Sequence, residues 1–137
     1  MSPRRRILVA EDDAGVRDLI RTRLNAVGYD THTARDGFEA IVRIRELQPA
    51  GLILDINMPG LDGFGVLEVI RADGRVRHTR VLVLTARHAA NDVTRAVGLG
   101  AKDFLAKPFN ENQLVLRVAR LLRTVIPPPV DDNELVI

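Results

Sequence analysis

The chain has 137 residues, room for one domain that buries roughly 68–70% of its unfolded surface and needs no covalent staples. Cysteine is absent, which excludes disulfides, thiolate metal centres and a cysteine nucleophile, and fits a reducing cytoplasm. Hydrophobic content of 46% is too high for a disordered chain, and no apolar run approaches the ~18–20 residues of a membrane span. The net charge is only +2, and all but two of the basic residues are arginine. Arginine's very high pKa lifts the pI to about 9.6 without making the chain strongly cationic. With one Tyr and no Trp, stacking on nucleic-acid bases has little to work with.

After Arg4-Arg5-Arg6, read as a solvated charge run, Ile7-Leu8-Val9-Ala10 is a compact strand that ends in acids. It is far too short for the core of a signal peptide. Val16, Leu19, Ile20, Leu24 and Val27 then recur at helical spacing, with Gly28 as the stop. Tyr29 to Ala34 alternates as a short strand, and Phe38 to Leu47 is a second amphipathic helix closed by Pro49. Leu52-Ile53-Leu54 is a buried-type strand that ends at Asp55. Phe64, Val66, Leu67 and Ile70 sketch a third helix, opened by Gly63 after a capping Asp62. Val81 to Leu84 is the most apolar strand and ends at Thr85. An Ala-rich helix near Asn91 to Leu99 follows, then a strand around Asp103 to Ala106 ending at Lys107. Leu114 to Val125 carries the strongest helical stripe, and Pro127-Pro128-Pro129 stops it.

Strands separated by helices predict a parallel sheet covered on both faces, because parallel neighbours need crossovers. Residues 1–126 form that domain and residues 127–137 a Pro-rich linker or tail. In such a sheet, ligands bind beyond the carboxyl ends of the strands. Glu11-Asp12-Asp13, Asp55, Thr85 and Lys107 therefore converge on one crevice. Clustered carboxylates repel one another and call for a cation, and Mg²⁺ is a hard ion that takes a few carboxylates and keeps several waters. Metal, lysine and threonine around an aspartate are the parts of a phosphoryl-transfer site with a carboxylate nucleophile. Singly, each residue has a plainer role: Asp12 and Asp13 as helix caps, Thr85 and Lys107 as ordinary strand ends.

In this order the residues resemble the response-regulator receiver domain of bacterial two-component signalling. The pieces that match are Ile-Leu-Val-Ala-Glu-Asp-Asp (7–13), Leu-Ile-Leu-Asp-Ile-Asn-Met-Pro-Gly-Leu-Asp-Gly (52–63), Val-Leu-Val-Leu-Thr-Ala (81–86) and Gly-Ala-Lys-Asp-Phe-Leu-Ala-Lys-Pro-Phe (100–109). The resemblance implies a flavodoxin-like, doubly wound α/β fold with five parallel strands in the order 2-1-3-4-5 and five helices. It implies that Asp55 accepts phosphate from a sensor histidine kinase or phosphotransfer protein. Mg²⁺ would lie on Asp12, Asp55, the Asn57 carbonyl and, through water, Glu11. Thr85 and Lys107 would hold the phosphoryl group, and Phe104 would be the switch aromatic. Asn57 and Arg87 would tune phosphoryl lifetime. Arg95, Asp103 and Arg117 match positions of a dimer face on the fourth helix, fifth strand and fifth helix. A cis Lys107-Pro108 bond is implied as well.

Four positions depart from the family pattern. Glu11 replaces the commoner Asp and Phe104 the commoner Tyr, while Gln113 and Lys102 stand where the dimerising branch has acids. His32, His78 and His88 share no metal spacing and read as surface residues, with His88, three past Thr85, also a candidate for tuning phosphoryl chemistry. Two outputs compete within this reading: a single-domain switch acting on protein partners or as a homodimer, and the receiver piece of a DNA-binding regulator. A rival of another class is a small Mg²⁺-dependent phosphohydrolase that uses Asp55 as nucleophile. The chain has no DNA-reading helix, so direct nucleic-acid binding by it is not expected. No membrane association is expected either, and the expected compartment is the cytoplasm. The phosphohydrolase reading has no Gly-rich phosphate loop or lid-sized insertion to support it.

Overall fold

The computed structural model describes residues 4–76, 78–86 and 90–123. Strands and helices alternate as β1 (Arg6–Ala10), α1 (Ala14–Ala26), β2 (Asp30–Ala34), α2 (Gly37–Leu47), β3 (Gly51–Asp55), α3 (Gly63–Ala72), β4 (Arg80–Ala86), α4 (Ala90–Gly98), β5 (Asp103–Lys107) and α5 (Glu111–Leu121). All strand pairs are parallel and the sheet order is β2-β1-β3-β4-β5. This is the doubly wound arrangement that the resemblance implies.

The strands' period of two divides the core. Leu8, Leu52, Leu54, Val81 and Val83 face α2, α3 and α4, where they meet Ile44, Phe64, Leu67 and Ala96. Their alternates Ile7, Val9, Ile53, Leu82 and Leu84 face α1 and α5, against Ile20, Leu24, Leu114 and Val118. Both faces of β3 are buried along its whole length, so its residues read as a continuous apolar run.

Helix starts follow local chemistry. Asp13, Asp36, Asp62 and Asn110 each accept a backbone N–H of the first turn, and Asn110 forms a capping box with Gln113. Gly28 stands just past α1 at φ 107, the left-handed conformation that ends a helix.

The last helix departs from the reading of its stripe, ending at Leu121, well before Pro127. Its terminal carbonyls are taken by guanidinium groups from the strand starts. Arg5 Nη1 donates to Leu122 O, and Arg80 Nη1 donates to Leu121 O (3.0 Å) and Arg123 O (2.8 Å). Side chains thus satisfy acceptors that a further helical turn would otherwise have used. Val125, the three prolines and the tail lie outside the described residues.

Candidate functional site

The carboxyl ends of β1, β3, β4 and β5 open on one edge of the sheet. Register fixes who meets whom there: Ala10 lies beside Leu54, Asp55 beside Leu84, and Ala86 beside Lys107. Glu11 follows β1 and is fully buried, with its N–H on Ala34 O (3.1 Å). Its carboxylate also accepts the Asp13 N–H (3.3 Å), while Asp13 caps α1 through Val16 N–H (3.0 Å). Asp12, between them, is exposed and carries its carboxylate to the crevice mouth.

Asp55 ends β3 with 4% of its surface exposed, and the Asn57 N–H donates to its Oδ1 (3.1 Å). The chain then doubles back tightly. Gly60 turns at φ 77, and Gly63 packs so closely that a Cβ there would stand 2.7 Å from Ile56 Cα. Only glycine lets α3 begin directly against the end of β3. Lys107 closes the group: its ammonium donates to Glu11 Oε1 (2.5 Å) and Asp55 Oδ2 (3.1 Å). The Lys107-Pro108 bond is cis.

One oxygen each from Glu11, Asp12 and Asp55 lie within 4.8 Å of one another, so three carboxylates face one ammonium. Burial pushes the Glu11 carboxyl above its ordinary pKa, and the neighbouring Asp55 carboxylate pushes it further against the pull of Lys107. For Lys107, burial favours loss of the proton, but Glu11 and Asp55 outweigh it and hold the ammonium above its ordinary pKa. The crevice encloses about 660 Å³, with an acidic floor and an apolar rim of Val16, Leu19, Pro108 and Phe109.

Thr85 is buried at the end of β4 but lines a neighbouring hollow of about 430 Å³, together with Phe104, Val93 and Thr94. Thr85 therefore lies beside the acidic crevice, with Ala86 lining both spaces. Phe104 is 39% exposed, and Arg117 braces it: the guanidinium lies 6.0 Å from the ring and donates to Phe104 O (2.9 Å). Arg117 and Arg120 also both pair with Asp103 within the chain. Arg95 is not with them; its guanidinium lies 4.1 Å from the centroid of the Phe64 ring, between α4 and α3. Arg87 and His88 lie outside the described residues.

Sequence reasoning missed Arg17, whose guanidinium donates to the carbonyls of Glu11 (2.9 Å) and Asp12 (3.4 Å). No spacing rule marks a side chain whose partners are backbone oxygens.

The family model for the response regulator receiver domain matches residues 7–119. The chain belongs to that family. As a receiver domain it is 39% identical over 120 residues to the DNA-binding response regulator MtrA of Mycobacterium tuberculosis, covering 88% of this chain and 51% of MtrA. It is 40% identical over 129 residues to the response regulator MprA of Mycobacterium avium, covering 94% and 55%. The chain thus spans about half the length of these curated relatives. Among solved structures it resembles the chemotaxis response regulator CheY4 of Vibrio cholerae, with TM-score 0.83 and 28% identity over 88% of this chain and all of that one. It also resembles the receiver domain of NtrX from Brucella abortus, with TM-score 0.80 and 32% identity over 86% and 98%. None of these similarities supports the phosphohydrolase reading. Among the described residues no helix is long and apolar enough to cross a membrane.

Proposed function

We propose that Asp55 of this receiver domain is the phosphoacceptor, taking a phosphoryl group from a phosphohistidine on a sensor kinase or phosphotransfer protein. The observation that carries the reading is the three-point contact of Glu11, Asp55 and the Lys107 ammonium, beside an exposed Asp12. The donor set fits a hard divalent cation: oxygen ligands only, with more negative charge than Lys107 neutralises. Asp12, Asp55 and the Asn57 carbonyl would hold Mg²⁺ directly and Glu11 through water, and the ion would offset charge on the transferred group.

The geometry around Asp55 supports the following part for the chain's own residues. Asp55 Oδ1 is held by the Asn57 N–H, and Oδ2 lies beside Lys107. A carboxylate oxygen of Asp55 attacks phosphorus, the P–N bond to histidine breaks, and the imidazole leaves with the bonding pair. Lys107 then pairs with a phosphoryl oxygen instead of a bare carboxylate, and the Thr85 hydroxyl donates to another. Drawing Thr85 toward Asp55 vacates space in the hollow it shares with Phe104, so the ring turns inward and the α4-β5-α5 surface changes. Water later cleaves the acyl phosphate, at a rate tuned by Asn57 and Arg87. The chain catalyses only its own phosphorylation and dephosphorylation. Residues 1–126 form the switch and residues 127–137 a linker or tail, in a cytoplasmic protein.

Incubation with acetyl phosphate and Mg²⁺ followed by intact-mass measurement tests this. One added phosphoryl group is expected, absent from Asp55→Asn and absent when EDTA replaces Mg²⁺. Labelling that survives Asp55→Asn overturns the assignment.

For the output, we favour the receiver portion of a DNA-binding regulator. Its support is the relatives named for DNA binding, which are about twice the length matched here. The dimer face of Arg95, Asp103 and Arg117 belongs to this reading, with the Asp103–Arg117 pair exchanged between copies. Sequencing the whole reading frame decides it.

A further inference from the structure

Arg17 is the one cation of α1 turned onto the acidic loop itself. It is half-buried, and its Nη1 donates to both Glu11 O and Asp12 O. The loop's other ties are the Glu11 N–H on Ala34 O, the Lys107 ammonium and the Asp13 N–H on the Glu11 carboxylate, the Asp13 cap on Val16, and the Arg17 N–H on Asp13 O. Glu11 and Asp13 are thus fixed through their own side chains. Asp12 is not: its carboxylate is exposed and makes no hydrogen bond to the described residues, and its carbonyl is held by Arg17.

We infer that Arg17 is a positioning residue for the cation site, orienting Asp12 by gripping the peptide on either side of its Cα. The inference rests on the metal site proposed above. It has an unusual sign. A guanidinium beside a cation site repels the cation through space, so removing its charge alone tightens binding. Removing its hydrogen bonds releases the Asp12 peptide and weakens binding, as loss of outer-shell partners does elsewhere. Two donated bonds to adjacent carbonyls, against a charge that solvent partly screens, put the structural effect first.

The test measures Mg²⁺ affinity by isothermal titration calorimetry on the full chain for wild type, Arg17→Gln, Arg17→Lys and Arg21→Gln. Arg21 lies one turn further on, is exposed and pairs with Asp18, so its removal changes charge without touching the loop. Arg17→Gln is expected to bind Mg²⁺ roughly tenfold more weakly, the low end for outer-shell partners. Arg17→Lys keeps the charge and a donor nitrogen but not the guanidinium's fixed geometry, and falls between; Arg21→Gln binds as wild type or slightly tighter. A destabilised but correctly positioned loop would lower the melting temperature without moving the dissociation constant. Equal or tighter binding by Arg17→Gln overturns the inference, and should that variant not fold, wild-type affinity in Arg17→Lys does so. Absence of Mg²⁺ binding by wild type removes the metal site itself, a distinct failure.

Discussion

Asp55→Asn is expected to stabilise the metal-free protein, although it removes a side chain hydrogen-bonded to Lys107. Asp55 stands within 4.8 Å of a carboxylate oxygen on each of Glu11 and Asp12, and 3.1 Å from the Lys107 ammonium. With an effective dielectric of ~20, each repulsion is about 3.5 kcal/mol and the attraction about 5 kcal/mol. The two repulsions together exceed the attraction by about 2 kcal/mol, and screening of the exposed Asp12 reduces this to about 1 kcal/mol. Asparagine keeps an oxygen for the Asn57 N–H, and Lys107 keeps Glu11. In EDTA at neutral pH the variant should therefore melt roughly 3–4 °C above wild type. Mg²⁺ should narrow or reverse the order, because it binds the native wild-type cluster more tightly and stabilises it by mass action. Thermal melts with and without Mg²⁺ measure both effects. An Asp55→Asn chain no more stable than wild type in EDTA would show that one lysine neutralises the crevice, and the argument for a cation would fail.

Lys107→Met has the opposite sign: it leaves Glu11 and Asp55 buried together, at a cost of about 2 kcal/mol, below the ~3–5 for a fully buried pair because Lys107 is partly exposed. Urea unfolding in EDTA should show that loss at pH 7 and a smaller one near pH 5, as Glu11, already raised, takes up a proton. Asp73 carries the acid-side prediction. Arg75, with Arg45 from α2, holds its carboxyl well below the usual carboxylate range. A depressed folded pKa gives stability that is complete above the unfolded value and is lost as pH falls through the folded one. Carbon-13 NMR should find Asp73 still ionised at about pH 3, below the ordinary Asp value of ~3.9, and Arg75→Ala should raise its midpoint. Arg117→Ala removes a cation–π contact of about 0.5–1 kcal/mol, so the inward population of Phe104 should rise roughly two- to fivefold. Fluorine NMR of fluorophenylalanine at that position measures it, and an unchanged spectrum would show that Arg117 does not brace the ring.

The strand ends were legible because each is a short apolar run meeting a polar residue, and a parallel sheet puts such ends on one edge. Asp13 and Asp62 were legible as caps for a similar reason, since capping is local chemistry. The arginines were not. Arg17 on the acidic loop, Arg5 and Arg80 on the end of α5, and Arg117 on Phe104 all reach backbone carbonyls, which leave no mark in the sequence. Arg95, aligned with a dimer position, stacks on Phe64 within the single chain, a contact the sequence does not mark because a long side chain on α4 can turn toward α3. The placement of Thr85 beside Phe104 was hidden too, since spacing gives the register of Thr85 and Lys107 but not which hollow each side chain lines.

The net charge of +2 conceals an opposition built by the fold. Every one of the five helices carries an arginine in its last turn: Arg23, Arg45, Arg71, Arg95 and Arg120. Such residues are favoured there by the negative end of the helix dipole. In a parallel α/β fold all helix C-termini gather at the edge where strands begin, and Arg6, Arg80 and Lys102 stand at strand starts on that edge. The acids Glu11, Asp12 and Asp55 gather at the opposite edge. Basicity is thus a consequence of helix termination and does not require a polyanionic partner. The same segregation keeps most of the arginines away from the crevice, so Lys107 is the side-chain cation that meets the three carboxylates there. Arg17 is the exception on α1, and it lies at that helix's first turn, against the dipole preference. A cation placed where electrostatics disfavours it, on two carbonyls of the acidic loop, is best explained by the geometry it imposes.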